Sequence, residues 1–348
     1  MKPTLVTGAN GHVGNNICRL LTERGEPVRG MIRPSADAKA LEALGVEIVR
    51  GDILDASSTS AAVAGTGRVY HTAAGFLMWS KDPERDIIRP SVEGTRNVLE
   101  AAVAAGVEKV VDTSTTGTMG FATTPDGMID ESHFNQHPHT HYVRGKIAAE
   151  KEAFAIAART GLPFCTTNPG LILGPRFSKP SESVKQVSDF LNRGTPLYFD
   201  GGFSIVDVED VARGSLAAME KGRSGERYIL AGENVTVKQL FDILADLTGL
   251  AAPTIKAPVG VVRVLATLME FAAKLTGSRP MLDRSQVDEF AGKYGYFDNS
   301  KAMRELGYTY LSARDTRRRT VAWLVDKGFV SERRRQAMKL DPSLANAY

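Results

Sequence analysis

The chain lacks most of the features that would set it apart from an ordinary globular protein. Its 348 residues include only two cysteines, Cys18 and Cys165, far apart and each in an apolar context. That count argues against a disulfide framework or a thiolate metal site and predicts buried thiols in a reducing compartment. Charge of one sign is scarce too, since 43 basic and 40 acidic residues leave a formal net charge of +3. So small an excess, with arginines not interleaved with aromatics, argues against a nucleic-acid partner. Long hydrophobic runs are missing as well. The best candidate, PVGVVRVLATLMEFAAKLTG, is broken by Arg263, Glu270 and Lys274, so it reads as an amphipathic helix covering a core and not a membrane span. The first apolar strand begins near residue 4, which leaves no room for a signal peptide. The expectation is a soluble cytoplasmic protein without a membrane partner.

What is present is alternation. TLVT, PVRGMI, VEIVR, RVYHTA, KVVDTS and PFCTTN read as strands, separated by helices such as HVGNNICRLLTERG, SVEGTRNVLEAAVAAG and YVRGKIAAEKEAFAIAARTG. This spacing predicts an α/β fold with a doubly wound parallel sheet and right-handed crossovers. After residue 170 the pattern loosens. GGFSIVDVEDVARGSLAAMEKG suggests one more strand and helix, and from Val235 onward the chain reads as mainly helical. The closing arginines, Arg333, Arg334 and Arg335, read as a solvated helix face.

Between the first strand and the first helix, LVTGANGHVGNNI places Gly8, Gly11 and Gly14. Glycines there permit a tight turn and close backbone approach to a pyrophosphate, and the helix start offers free N–H groups. The spacing is G-x-x-G-x-x-G rather than G-x-G-x-x-G. The second strand ends in VRGMIRPSAD, with Arg33 where an acid would select NAD. A guanidinium suits a 2′-phosphate, so NADP(H) is favoured over NAD(H), with Lys39 or Arg29 as helpers. Asp52, after the third strand, either meets the adenine amino group or caps a turn.

The stretch ESHFNQHPHTHYVRGK packs His133, His137, His139 and His141 just ahead of Tyr142 and Lys146. The histidines alternate through a proline-containing loop with no cysteine nearby, a poor pattern for zinc, and no metal is expected. Tyr142 and Lys146 lie four apart on one helix face. An ammonium beside a phenol, together with an oxidised nicotinamide ring, would pull the phenol's value down from near 10 toward working pH. Ser114, Thr115 and Thr116 close the fifth strand, where a hydroxyl can orient a carbonyl oxygen; some of these bond only to local backbone.

TGANGHVG, GDILD, HTAAG, EGTRNVLEAA, DTSTTG, YVRGK and NPGLILGP occur in one order that resembles the extended short-chain dehydrogenase/reductases of the NAD-dependent epimerase/dehydratase superfamily. VRGMIRP and HTAAG are similar to its dihydroflavonol-4-reductase-like carbonyl reductases. The resemblance implies a Rossmann-type sheet with a smaller, mainly helical substrate-binding domain. Residues 1–170 with 203–232 would form the first, 171–202 with 233–330 the second, and 331–348 a tail. It also implies Thr115, Tyr142 and Lys146 as catalytic residues. Cofactor contacts would come from Gly8, Asn10, Gly11, His12, Val13, Gly14, Arg33, Asp52, Ile53, Thr72, Ala73, Ala74, Tyr142, Lys146 and Pro169.

Departures bear on substrate. Thr116 and Gly117 stand where sugar-nucleotide dehydratases carry two acids, Ser91 where epimerases carry asparagine, and no basic residue lies between Thr195 and Asp207. The expected activity is therefore NADPH-dependent reduction of a ketone or aldehyde on a small, fairly apolar molecule. GFLMWS after the fourth strand, and Phe177, would either line its pocket or be ordinary core, since Phe, Leu and Trp are mostly buried anyway. The alternatives are a hydroxysteroid-like alcohol dehydrogenase, a sugar-nucleotide epimerase or a non-enzymatic NADP sensor. Whether a histidine touches substrate, and whether a homodimer forms, is left open.

Overall fold

Adjacent residues in the central strands belong to opposite cores. Leu5, Val69, Val110 and Phe164 pack on one face of the sheet, while Val6, Tyr70, Val111 and Cys165 pack on the other. Side chains alternate along a strand, so continuous apolar strands require helices on both faces. The computed structural model describes residues 2–73, 77–276, 278–280 and 282–348. The strands are β1 (Thr4–Thr7), β2 (Val28–Ile32), β3 (Glu47–Arg50), β4 (Arg68–His71), β5 (Lys109–Thr113), β6 (Phe164–Pro169), β7 (Leu171–Leu173), β8 (Leu197–Phe199), β9 (Gly202–Asp207), β10 (Arg227–Leu230), β11 (Glu233–Thr236), β12 (Ile255–Ala257) and β13 (Tyr294–Gly295). Seven of them form a parallel sheet in the order β10-β6-β5-β4-β1-β2-β3. The order reverses between β1 and β4, which opens a crevice at their carboxyl ends.

The helices are α1 (His12–Glu23), α2 (Lys39–Glu42), α3 (Ala56–Val63), α4 (Arg89–Ala104), α5 (His141–Thr160), α6 (Glu182–Arg193), α7 (Val208–Lys221), α8 (Val237–Thr248), α9 (Val259–Thr276), α10 (Arg284–Phe290), α11 (Ser300–Leu306), α12 (Ala313–Asp326) and α13 (Glu332–Ala337). α1 and α7 cover one face of the sheet, α4 and α5 the other. Both cysteines are buried free thiols in the α1/α7 core, and burial pushes Cys18 up to about 12 and Cys165 to about 11.

Several elements depart from the sequence reading. The seventh strand of the main sheet is RYIL (β10), which lacked an alternating neighbourhood to mark it. The strand in GGFSIVDV, grouped by sequence with the nucleotide-binding half, instead joins β7, β11 and β13 in a second sheet. The smaller unit is thus not simply helical. Residues 331–348 do not trail: the Lys339 and Asp341 amides donate to Thr248 and Leu247, and Tyr348 packs edge-on against Trp323. Arg334 is likewise not wholly solvated, since its Nε donates to the Leu191 carbonyl at 2.8 Å. α9 covers a small core through Val262 and Ala266, as expected, but its opposite side is also apolar. Leu268, Phe271 and Leu275 are 60–74% exposed.

His71, at the end of β4, is buried between Thr7 and Thr95, at 2.8 and 3.2 Å. Burial, with the Lys146 charge adding to it, lowers its value from 6.5 to about 3. The unfolded chain therefore takes up a proton below pH 6.5 that the folded chain refuses until about pH 3. Stability from this group is complete above 6.5 and is lost as pH falls through that window. Denaturant unfolding should show a loss of about 2 kcal/mol from this group between pH 6.5 and 5. His71→Gln, though less stable at neutral pH, should show a shallower slope there.

Candidate active site

The carboxyl ends of β1, β4, β5 and β6 converge on a cleft of about 730 Å³. Its floor begins at the glycine turn. Gly8 has a φ of 66°, and a side chain there would place Cβ 2.8 Å from the Ala73 Cα. At Gly14 an added Cβ would lie 2.4 Å from the Gly8 carbonyl oxygen. The turn and the first coil of α1 are thus in backbone contact, and only glycine allows it. α1 starts at Gly11 with no side-chain cap, so its first N–H groups keep their capacity to bind an anion. These features fit a dinucleotide pyrophosphate.

Of the residues expected to touch cofactor, Gly11, His12, Val13, Gly14, Thr72 and Pro169 line the cleft, as do Thr115, Tyr142 and Lys146. Gly8 and Ala73 lie beneath, in contact with each other, and Asn10 is half-buried in the turn. Ala74 lies outside the described residues, as do Gly75 and Phe76. His12 bonds the Pro175 carbonyl through Nε2 at 3.0 Å and packs edge-on against Phe177. Burial lowers it to about 4, so it is neutral there. Phe177 itself does not line the pocket; it sits in the smaller unit's core with Trp323 and Phe329. From GFLMWS, Met78 reaches the cleft, and Trp79 lines an adjoining cavity.

Arg33 directly follows β2 and is exposed, and among the described residues its guanidinium makes no hydrogen bond or ion pair. Arg29 is not a helper. It is held by Glu47 at 2.9 Å and by the carbonyls of Ala62 and Ala64. Arg50, overlooked in the sequence, braces the Arg33 turn by donating to the Pro34 and Ala36 carbonyls. Asp52 caps its own turn, accepting from the Leu54 amide at 2.9 Å. Ile53 packs on Gly94 of α4, where a Cβ would come within 2.4 Å of it.

The reacting corner joins β5 to α5. Thr140 caps α5 through the Val143 amide, which places Tyr142 in the first turn and Lys146 one turn on. Tyr142 and Thr115 share a side-chain hydrogen bond. Lys146 is buried and donates to the Thr113 carbonyl at 2.8 Å. The lowering expected of the Tyr142 phenol concerns a bound oxidised nicotinamide ring together with Lys146; the protein groups by themselves act on the phenol in the other direction. Burial pushes it up to about 12, with the Thr115 hydrogen bond opposing and buried Asp112 adding to the rise. With the protein groups alone, the phenol keeps its proton at neutral pH. The other hydroxyls of the turn are committed: Thr116 donates to the Pro169 carbonyl at 3.1 Å and Ser114 donates to Glu150.

Two carboxylates that sequence reading missed hold this corner. Glu150 lies one turn beyond Lys146 on the buried face of α5, a position the helical spacing could have flagged. It accepts from Ser114, Thr118 and Asn168 and pairs with buried Arg227 at 3.0 Å. Glu289 of α10 carried no sequence signal. It is buried and accepts the backbone N–H groups of His139 and Thr140, each at 2.7 Å. Among the described residues no group of histidine, cysteine or acidic side chains is placed to hold a metal. His133 bonds Asp130 instead, and His141 lines the adjoining cavity.

The cleft's far wall mixes Phe121, Phe203 and Phe290 with Lys185, Arg193 and Arg279. The missing arginine before β9 therefore does not leave the cleft without positive charge. Arg279 is held by Glu182 in a two-pronged pair at 2.6 and 2.7 Å.

The pattern of the NAD dependent epimerase/dehydratase family matches residues 4–231. The chain belongs to that family. It is 35% identical over 333 residues to "Sterol demethylase protein B" of Methylococcus capsulatus, covering 94% of this chain and 99% of that one. A Synechocystis sp. protein named "Putative dihydroflavonol 4-reductase" is 34% identical, covering 93% and 95%. The crystal structure of gox2253 superposes with a TM-score of 0.84 at 33% identity, covering 95% of this chain and all of that one. The family binds a nicotinamide cofactor, and the Rossmann-type sheet is the one these proteins share.

Glu289→Ala should lower stability by about 3 kcal/mol, because two backbone donors at the start of α5 lose their acceptor. Glu289→Gln keeps one acceptor oxygen and should cost less. Denaturant unfolding of both variants checks that order.

Proposed function

We propose that this protein reduces a ketone or aldehyde on a fairly apolar molecule, with NADPH favoured over NADH. The observation that carries the reading is the Thr115–Tyr142 hydrogen bond, with Lys146 one helical turn away, on the floor of a cleft with phenylalanines in its wall. A bound reduced nicotinamide dinucleotide would supply the hydride. The glycine turn and the start of α1 would hold its pyrophosphate, Arg33 the 2′-phosphate and Lys146 the nicotinamide ribose. Thr115 positions the substrate oxygen beside the phenol. Tyr142 keeps its proton at neutral pH and delivers it to that oxygen as negative charge develops there. The phenylalanines offer apolar surface to the rest of the substrate. Relatives named for dihydroflavonol reduction and for sterol demethylation support a reductase with a bulky ring substrate. A non-enzymatic sensor would have no use for the Thr115–Tyr142–Lys146 set.

One observation favours a second reading. Lys185, Arg193 and Arg279 in the cleft could hold the diphosphate of a sugar nucleotide, and the activity would then be epimerisation.

Following nicotinamide absorbance against bulky ketones and aldehydes, and product formation from UDP-sugars, separates the two. Tyr142→Phe should lower ketone turnover by at least 100-fold while cofactor binding stays within about threefold. Turnover that survived this change would refute the mechanism. In Arg33→Gln the KM for NADPH should rise roughly 10- to 100-fold with little change for NADH. Equal effects on both cofactors would remove Arg33 from the phosphate site.

A further inference from the structure

A row of polar side chains crosses the main sheet beneath α4 and α5. Thr7, His71, Asp112, Thr166 and Arg227 stand in register on β1, β4, β5, β6 and β10, which are neighbours in that order. All of them are buried, none more than 6% exposed. The first four lie two residues beyond Leu5, Val69, Val110 and Phe164, so strand alternation turns them toward the same helices. Most of the row is satisfied at close range. His71 sits between Thr7 and Thr95, Thr166 donates to Asn168 at 2.8 Å, and Arg227 pairs with Glu150 at 3.0 Å. Asp112 differs. Among the described residues its carboxyl has no salt bridge, and the amide of Thr113 is its hydrogen-bond donor.

Lys146 is in the complementary position. It is 7% exposed, and its ammonium is bonded to a neutral group, the carbonyl of Thr113, the residue directly after Asp112. A buried cation and a buried anion, neither in a salt bridge among the described residues, thus meet at one corner of β5. Either charge alone would be costly there, and each offsets the cost of the other. We propose that Asp112 is the counter-charge of Lys146 and that, by cancelling part of the ammonium's pull, it keeps the proton on Tyr142. Thr113, Ser114 and Thr115 line the cleft and Asp112 does not, so it is a positioning residue that acts through Lys146 and the phenol.

The other groups around this corner leave the two charges facing each other. His71 of β4 stays neutral down to about pH 3. α4 offers the neutral hydroxyl of Thr95, and Glu150 of α5 is matched by Arg227 of β10. Cys165 of β6 belongs to the core on the opposite face. Burial raises the Asp112 carboxyl, while the Lys146 charge and the Thr113 amide hold it down. The Asp112 charge in turn adds to the rise of the phenol. Removing it leaves Lys146 unopposed, so Tyr142 should ionise at lower pH, and the alkaline limb of ketone reduction should move with it. The change in the reduction profile rests on the proposed reaction; the effect on the phenol does not.

The test is an NMR titration of the full chain, saturated with NADP⁺ and carrying ring-labelled tyrosine, with Tyr142→Phe to assign the signal. In Asp112→Asn, which keeps the shape and one acceptor oxygen, the Tyr142 phenol should ionise below about pH 10 and at least about one pH unit under the wild type. His71→Gln exchanges one neutral member of the row for another and should titrate with the wild type. A variant phenol that stays protonated to that pH, or that titrates with the wild type, would overturn the proposal. So would an equal displacement in His71→Gln, since packing and not charge would then be the cause. The wild-type chain gives a check that needs no altered protein to fold: the Asp112 Cγ resonance should be that of a carboxylate at pH 7, and a protonated carboxyl there would also overturn the proposal. A displaced phenol in a protein that turns over no ketone or aldehyde would sink the reductase reading and leave the role of Asp112 standing. Turnover without displacement would do the reverse.

Discussion

One buried carboxylate ties together most of what the site needs. Glu150 takes hydrogen bonds from the β5 turn through Ser114 and Thr118, from β6 through Asn168, and an ion pair from Arg227 of β10. Asn168 also donates to the Thr115 carbonyl at 3.2 Å, so the turn carrying the candidate hydroxyl is fixed on both sides. A charge so deeply buried is tolerable only when every lone pair has a donor, and breaking such a pair typically costs about 3–5 kcal/mol. The network therefore acts as a geometric constraint. It holds Thr115 at one distance from the helix that carries Tyr142.

Arg227 extends that constraint to the surface. Its guanidinium donates to the Glu131 and His133 carbonyls and stacks over the Phe134 ring at 4.4 Å. The loop entering α5 is thereby pinned from the main sheet. It is pinned again from the smaller unit by Glu289, whose helix also lends Val287 and Phe290 to the cleft wall. The same short helix thus touches both the substrate side of the cleft and the start of the helix bearing Tyr142. The histidine-rich stretch is best understood in this light: its backbone amides are used, and its imidazoles serve no common centre.

Much of the main sheet was legible because its signals are local. β1 to β6 each appear as a short apolar run, and α1, α4 and α5 follow at regular intervals; a covered parallel strand can be written no other way. Gly8 and Gly14 could be read as a close backbone approach, and Tyr142 with Lys146 as one helix face. What escaped was non-local. β10 is only four residues long and gains its identity from pairing with β6. β9 resembled one more strand of the parallel set, but the sequence does not record which sheet it joins. Glu289 lies 149 residues from Thr140, and no spacing rule connects them.

The same division holds for the chemistry. By itself the sequence determined the residue types at the site, the sheet that bears them and the charge at the end of β2, because these follow from periodicity and neighbour spacing along the chain. Only the tertiary structure decided their state. Burial at the cleft floor raises the Tyr142 phenol, and desolvation keeps His12 and His71 neutral. Pairing with Glu47 takes Arg29 out of reach of a phosphate, and the fold leaves the α9 stripe facing outward. Desolvation and pairing depend on what arrives from distant parts of the chain, so a linear pattern names the groups but not the environment that sets their charge and exposure.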